Sequence, residues 1–541
     1  MRPFLTLHDP AAARSFYAQG LWTEDTFYTL MARHALQRPD AMALRDGRAR
    51  LDWQTLKARV DAMADDLYER DITAGDRVSI WMGNRVETII AFLACSREGI
   101  ACNPSLHRTY TCAEILDLLR ELQSKALITE QGWGTDRKSQ DFEAMLAELP
   151  FLTKVYKADT FPMHITQLTR EPYSNPDSIA YLAFTSGTTG KPKCVMHSCN
   201  TLLANARDLV GAWKIGPETT MLTLSPLSHH IAWVAVGQWL VSGCELVTDD
   251  PPKDMSRLDW IVETGAVYVM GVPTHAMDIL AAQRQRGLMR LGDVRIFYMA
   301  GSPIPEVVAK AFVDQGITPQ NIYGMTESSS HQYTHPDDPE AIWISTCGRG
   351  GPAYEVKIWD RANRDEEAPA GATGEIGGRG AALMLGYYAN QSATENTFNR
   401  HGYMMSGDLG SFDAGGNLRI EGRVKDLIIR GGHNIYPSQI EARALTHPAV
   451  SKAAAFPVPD ERLGEKVCLA IIGNVTAEDM LEHLGREGLS KFDMPEWYLT
   501  LDELPLTPSG KILKRELTEM AKRGEIKPGM VRYAEKKEPA S

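Results

Sequence analysis

Between Thr185 and Lys193 the chain places four hydroxyl side chains (Thr185, Ser186, Thr188, Thr189), two glycines (Gly187, Gly190) and two lysines (Lys191, Lys193), directly after the apolar run Ala180–Phe184. Such a segment suits a polyphosphate. Glycines let backbone N–H groups turn towards an anion, hydroxyls add donors, and lysines add positive charge. A Walker loop is disfavoured, because only two residues separate Gly187 from Gly190 and Pro192 follows Lys191.

The rest of the composition limits what such a loop can serve. The 541 residues carry 57 basic against 69 acidic side chains, a formal charge of -12, with no long basic run. Nucleic acid is therefore not expected as a partner. An acidic chain that handles an anionic nucleotide must gather its cations locally, which draws attention to Lys191, Lys193, Arg423 and Lys511. The eight cysteines include no Cys-x-x-Cys pair, and no apolar run reaches the length of a spanning helix. A reducing cytoplasm and no membrane span are expected.

Elements able to position these groups can be read from periodicity. A helix is expected over Phe27–Gln37, a hairpin over Ala41–Leu51, then a helix with Leu56, Val60, Met63 and Leu67 on one face. Strand-like runs at 77–82, 126–129, 180–184, 267–270 and 295–299 alternate with helix-length segments, the pattern of parallel α/β sheets. After Gly371 short glycine-punctuated strands predict a β subdomain, and a final unit of its own follows Arg423. The division expected is a large N-terminal domain over 1–422 and a small C-terminal domain over 423–541.

The string Ser-Gly-Thr-Thr-Gly-Lys-Pro-Lys after an apolar strand resembles the signature of adenylate-forming enzymes, which include acyl-CoA synthetases, nonribosomal-peptide adenylation domains and luciferase. Further motifs follow in that superfamily's order: Pro226-Leu-Ser-His229, Gly301-Ser-Pro303, Tyr323-Gly-Met-Thr-Glu327, Gly374-Glu375, Ser406-Gly-Asp408, Gly422-Arg-Val-Lys-Asp-Leu-Ile-Ile-Arg-Gly-Gly432 and Pro508-Ser-Gly-Lys511. The resemblance implies an α/β fold: two α/β subdomains plus a β subdomain, with a small mobile α+β C-terminal lid. It also implies an ATP-dependent ligase that joins a carboxylic acid to AMP and then to coenzyme A.

Each motif then takes an implied role. The Thr185–Lys193 loop holds the β- and γ-phosphates, Thr326 contacts the α-phosphate, and Glu327 ligates Mg²⁺, whose hard-oxygen preference suits a carboxylate beside phosphates. Tyr323 offers the nucleoside an aromatic face, Asp408 and Arg423 meet the ribose hydroxyls, and Asn321 contacts the adenine amino group. Gly301, Ser302, Pro303 and Gly324 line the nucleotide and acyl pocket. Lys511 is the catalytic lysine that bridges the substrate carboxylate and the α-phosphate. Lys425 is the hinge about which the lid turns between half-reactions, and the Gly431-Gly432 turn then approaches the pantetheine. The setting of Lys511 also resembles one silenced by acetylation, so a lysine acetyltransferase is an implied partner.

For the acid, His229 aligns with the residue flanking the acyl pocket, and the run His230–Val236 has no carboxylate to pair with an α-ammonium. The acid is therefore expected to lack an amino group. Trp233, Val236, Val272 and Pro273 predict an apolar pocket, with His230 also lining it, for an alicyclic, aromatic or medium-chain acid, and the segment Tyr17-Ala-Gln-Gly-Leu-Trp22 resembles cyclohexanecarboxylate-CoA ligase-like and aryl-acid-ligase branches. A carrier domain is not expected after Lys511, so the acceptor is expected to come from outside the chain. The acceptor is CoA or, alternatively, a separate carrier protein; a homodimer is compatible with either. An inactive nucleotide-binding relative is the alternative of another class.

Overall fold

The helix expected around Leu56, Val60, Met63 and Leu67 runs over Trp53–Glu69, with all four residues fully buried and Asp52 capping it by accepting from the Thr55 N–H at 2.7 Å. A 3.6-residue repeat of apolar side chains has no other way to leave water along its length. The computed structural model describes residues 4–162, 168, 170–185, 192–507 and 511–533. The segment 186–191 and Pro508–Gly510 of the predicted motifs lie outside the described residues.

Two large sheets organise the first 333 residues. One has eight strands, ordered Ser329–Tyr333, Thr318–Met325, Ile296–Met299, Tyr268–Gly271, Thr220–Thr223, Glu245–Thr248, Met42–Arg45 and Arg50–Asp52. The other has six, ordered Lys154–Lys157, Ala126–Thr129, Arg77–Trp81, Ala101–Asn103, Ile179–Thr185 and Lys193–Ser198. Their interiors are parallel, as the apolar runs predict, but three edge pairs are antiparallel. One of these changes the setting of the phosphate segment. Ile179–Thr185 and Lys193–Ser198 pair antiparallel with Thr185 opposite Lys193, so the segment closes a hairpin, as only antiparallel neighbours permit over so short a connection.

The helices Cys199–Trp213 and His230–Ser242 pack together in a core cluster that draws on both sheets, including Ile80, Tyr181, Trp233, Leu246 and Tyr298. From His230 to Leu240 every residue of the second helix is buried, as a helix apolar on all sides requires.

A four-stranded antiparallel sheet follows, ordered Tyr354–Trp359, Gly374–Gly380, Met404–Phe412 and Leu418–Arg423. After the turn Val424–Asp426, strand Ile428–Arg430 already belongs to a separate six-stranded C-terminal sheet, built around the long hairpin of Val450–Asp460 and Gly464–Gly473. All eight cysteines are buried and unbridged. Among the described residues no helix is long and apolar enough to cross a membrane.

Candidate active site

The hairpin presents Thr185 and Lys193 side by side, with the Thr185 hydroxyl donating to the Lys193 carbonyl at 3.3 Å. The Lys193 ammonium lies 4.2 Å from the centre of the Tyr387 ring, a cation–π contact, and the Tyr387 hydroxyl donates to Glu327 Oε1 at 2.8 Å. Tyr387 thus connects the hairpin to Glu327, a link nothing in its local sequence announces. Burial, then the Glu327 charge, push its hydroxyl well above the usual phenol range, so it stays a donor.

Glu327 and Thr326 sit where strand Thr318–Met325 folds back on Ser329–Tyr333. At Gly324 the two backbones approach so closely that a Cβ would lie 1.8 Å from the Ser329 carbonyl oxygen. Only glycine permits that approach. Ser329 in turn adopts φ 55°. The tight turn is braced on both sides: His197 Nε2 donates to the Thr326 carbonyl at 2.7 Å, and the Met384 N–H donates to the Glu327 carbonyl at 2.7 Å. Burial lowers the His197 imidazole to about 4, which keeps it neutral, with Nδ1 left as acceptor for the Thr201 hydroxyl at 2.9 Å. His197 also escapes motif reading, because its partner at Thr326 is a backbone carbonyl.

Upstream on the same strand, the buried Tyr323 hydroxyl donates to Asp408 Oδ2 at 2.9 Å, and Arg423 Nε donates to Asp408 Oδ1 at 2.9 Å. Asp408 and Arg423 face one another across adjacent strands. The carboxylate holds the guanidinium pKa above its ordinary value. Asn321 gives its amide N–H to the Trp343 carbonyl at 2.6 Å, while its Oδ1 is shielded from water and lacks a partner among the described residues.

Lys511 arrives from the C-terminal domain. A bridge joins Leu506 to Ile512, reinforced by the Thr507 N–H to the Lys511 carbonyl at 2.7 Å and by the Lys511 N–H to the Thr507 hydroxyl at 3.0 Å. The side chain reaches Gly301, where φ is +93° and a Cβ would lie 3.2 Å from Lys511 Cε, 3.3 Å from Ile231 Cδ1 and 3.6 Å from Val272 Cγ1. Burial first, then Arg423, lower the ammonium to about 8, against the pull of Asp408 and Glu327. The charges at 327, 408, 423 and 511 thus act on one another across more than 180 residues of chain. Ser302 and Pro303 continue the same loop towards helix Glu306–Val313.

His229 is the N-terminal flanking residue of helix His230–Ser242, and burial, then Lys511, push its imidazole well below the ordinary range. His230 engages the Tyr181 hydroxyl at 3.2 Å and the Ser329 hydroxyl at 3.1 Å with its two ring nitrogens. Trp233 lies about 200° around the helix from Ile231, its indole N–H on the Leu227 carbonyl at 2.7 Å and its ring 4.2 Å from Phe92 in the main core. Ile231, which the sequence reading did not name, is the helix residue against Gly301.

Lys425 lies in the single turn Val424–Asp426 that joins the four-stranded and C-terminal sheets. Gly431 and Gly432, at φ 58° and 88°, form the two-residue turn between Ile428–Arg430 and His433–Ile435, a primed turn that demands positive φ twice. This turn is exposed, with the Gly431 N–H donating to the Leu463 carbonyl at 2.8 Å inside the C-terminal domain. Polar contacts also tie the C-terminal domain to the rest: Lys452 Nζ lies 3.2 Å from Asp278 Oδ1, and the Ser438 hydroxyl donates to the Glu421 carbonyl. A part-exposed pair of this kind contributes up to about 1 kcal/mol. Asp278→Ala is therefore expected to slow acyl-adenylate formation by no more than about 5-fold, read by pyrophosphate exchange. A hundredfold loss would mean that Asp278 does something other than hold the C-terminal domain.

The chain matches the AMP-binding enzyme family over residues 31–388 and the AMP-binding enzyme C-terminal domain over 439–511. It is 27% identical to the medium-chain fatty-acid–CoA ligase of Escherichia coli (strain K12) over 534 residues, 95% of this chain and 93% of that one. It is 28% identical to the salicyl-AMP ligase / salicyl-S-ArCP synthetase of Mycobacterium tuberculosis, over 93% of this chain and 92% of the relative. Among solved structures, ATP-bound MatB from Rhodopseudomonas palustris is similar with a TM-score of 0.80 and 26% identity, covering 92% of this chain and 99% of that one.

Proposed function

Because the chain belongs to the AMP-binding enzyme family, we propose that it is an ATP-dependent acid–CoA ligase working in two half-reactions at the Lys511 site. In the first, a carboxylate oxygen attacks the ATP α-phosphorus and the bond to pyrophosphate breaks. In the second, the CoA sulfur attacks the acyl carbonyl and AMP leaves. The observation that carries this reading is the convergence of Lys511 with Arg423, Asp408 and Glu327 beside Gly301. Attack of one anion on another needs positive charge between them and fixed alignment.

Lys511 spans the substrate carboxylate and the α-phosphate, and Arg423 and Asp408 meet the ribose. The shielded, unpartnered Asn321 Oδ1 fits an exocyclic amino donor such as that of adenine. Glu327 fits a magnesium ion, which takes one or two carboxylates and leaves its other positions to phosphates and water, and which would neutralise phosphate charge. The Thr185–Lys193 segment holds the outer phosphates in this reading. The lid begins at residue 423, turns about Lys425 and brings Gly431-Gly432 to the pantetheine. Ile231, Val272 and Gly301 suit a medium-chain, alicyclic or aromatic acid, in line with the E. coli relative's name. The setting is cytoplasmic.

Incubation with ATP, a panel of benzoate, cyclohexanecarboxylate, hexanoate and octanoate, and CoA should release AMP. Pyrophosphate exchange without thioester formation on CoA would instead favour a carrier protein as acceptor, the reading supported by the mycobacterial relative's name. Absence of exchange with every acid would sink the ligase reading. Asp408→Ala is expected to raise the KM for ATP about 10-fold or more, since it strands the Tyr323 hydroxyl and the Arg423 guanidinium. An unchanged KM for ATP would remove Asp408 from the nucleotide site.

A further inference from the structure

His107 follows strand Ala101–Asn103 of the six-stranded sheet, while Ser228 and His229 lead into helix His230–Ser242 after strand Thr220–Thr223 of the eight-stranded one. The two sheets bring them together. His107 Nδ1 is 3.0 Å from the Ser228 hydroxyl, and the His107 ring lies 6.5 Å from that of His229 and 5.4 Å from that of Tyr110. All four residues keep partial exposure. Lys511 is the charge that acts most strongly on His229, so the cluster adjoins the Lys511 end of the site. Within it, His229 Nδ1 is shielded from water and has no hydrogen-bond partner among the described residues.

A buried polar atom without a partner is uncommon and costly, and a purely hydrocarbon acid would leave this one unsatisfied. We propose that the wall formed by His107, Ser228 and His229 recognises a neutral oxygen, a ketone or a hydroxyl, on the acyl part of the acid, and so sets specificity. This rests on the ligase reading and replaces its apolar pocket with one that carries a polar patch. Burial lowers His107 to about 4 and pushes His229 well below the ordinary imidazole range, so both rings are neutral. Each neutral imidazole has one donor and one acceptor, a match for a ketone or hydroxyl and a poor one for a second carboxylate.

The test compares cyclohexanecarboxylate with its 3-oxo, 4-oxo and 4-hydroxy forms in pyrophosphate exchange. The expected result is a kcat/KM at least about 10-fold higher for one of the oxygenated acids. In His107→Phe and Ser228→Val the ratio of that acid to cyclohexanecarboxylate should fall towards one, and because it is taken within each variant, lost folding cannot imitate it. Equal or lower kcat/KM for every oxygenated acid in the unaltered protein overturns the proposal while leaving the ligase reading intact. So does a ratio that either variant leaves unchanged. Exchange with none of the acids, this set and the earlier panel together, overturns both.

Discussion

Lys511→Ala is expected to lower acyl-adenylate formation by ~10²-fold or more, with thioester formation from supplied acyl-adenylate spared. A positive charge aimed at a developing anion in a water-poor site contributes on the order of 3 to 4 kcal/mol, and Lys511 is placed for that at Gly301, beside the fields of Arg423, Asp408 and Glu327. In the second half-reaction the acyl–phosphate bond is cleaved by a thiol, and the charge is not needed at that place. The pH dependence follows from the same burial. With its ammonium lowered to about 8, Lys511 is charged below that pH and neutral above it, so kcat/KM for adenylation falls as pH rises through about 8. Lys511→Arg holds its charge across this range. Its adenylation, though slower because a guanidinium fits the place badly, should not show that fall. Unchanged pyrophosphate release in Lys511→Ala would take the residue out of the reaction, and acetylation of Lys511, which also removes the charge, should mimic the alanine variant.

The second large effect is structural in origin. Gly324→Ala would place a Cβ 1.8 Å from the Ser329 carbonyl oxygen, 2.8 Å from its carbonyl carbon and 2.9 Å from Ser330 Cα. All three atoms are backbone and cannot swing aside, so the strands Thr318–Met325 and Ser329–Tyr333 must part. The turn between them holds Thr326 and Glu327, and the displaced Ser329 hydroxyl would leave His230 Nε2. Overpacking of this kind costs about 1 to 3 kcal/mol, and more where the backbone itself must move. Gly324→Ala should therefore lower the urea midpoint and remove most adenylation together. Gly211→Ala is the matched control: inside helix Cys199–Trp213 its Cβ meets nothing within 4 Å, so stability should hold or rise by up to about 1 kcal/mol. Equal midpoints for the two variants would show that the strands do not pass so closely at Gly324.

Much of this was legible in the chain itself. The helices Phe27–Gln37 and Trp53–Glu69 and the strand Ala126–Thr129 follow from local periodicity. The order of motifs from Thr185 to Lys511 points to the family because a two-step ligase needs those groups along one chain. Of the three antiparallel edge pairs, the hairpin of Met42–Arg45 and Arg50–Asp52 was legible; the other two were not, since a buried edge strand carries the same apolar run whichever way its neighbour points.

By itself the sequence determined residue types and their order: a glycine-rich hydroxyl loop, a Tyr-Gly-Met-Thr-Glu turn, an Asp408 and a Lys511. Only the tertiary structure decided who meets whom. Tyr387 links Lys193 to Glu327, His197 braces Thr326, and Ile231 rather than Trp233 lies against Gly301. Asp408 is shared by Tyr323 and Arg423, and His107 joins Ser228 from the opposite sheet. These pairings fall between residues up to 194 positions apart or pass through backbone atoms. No local pattern encodes either, because close packing of the whole chain alone brings such groups within hydrogen-bond reach.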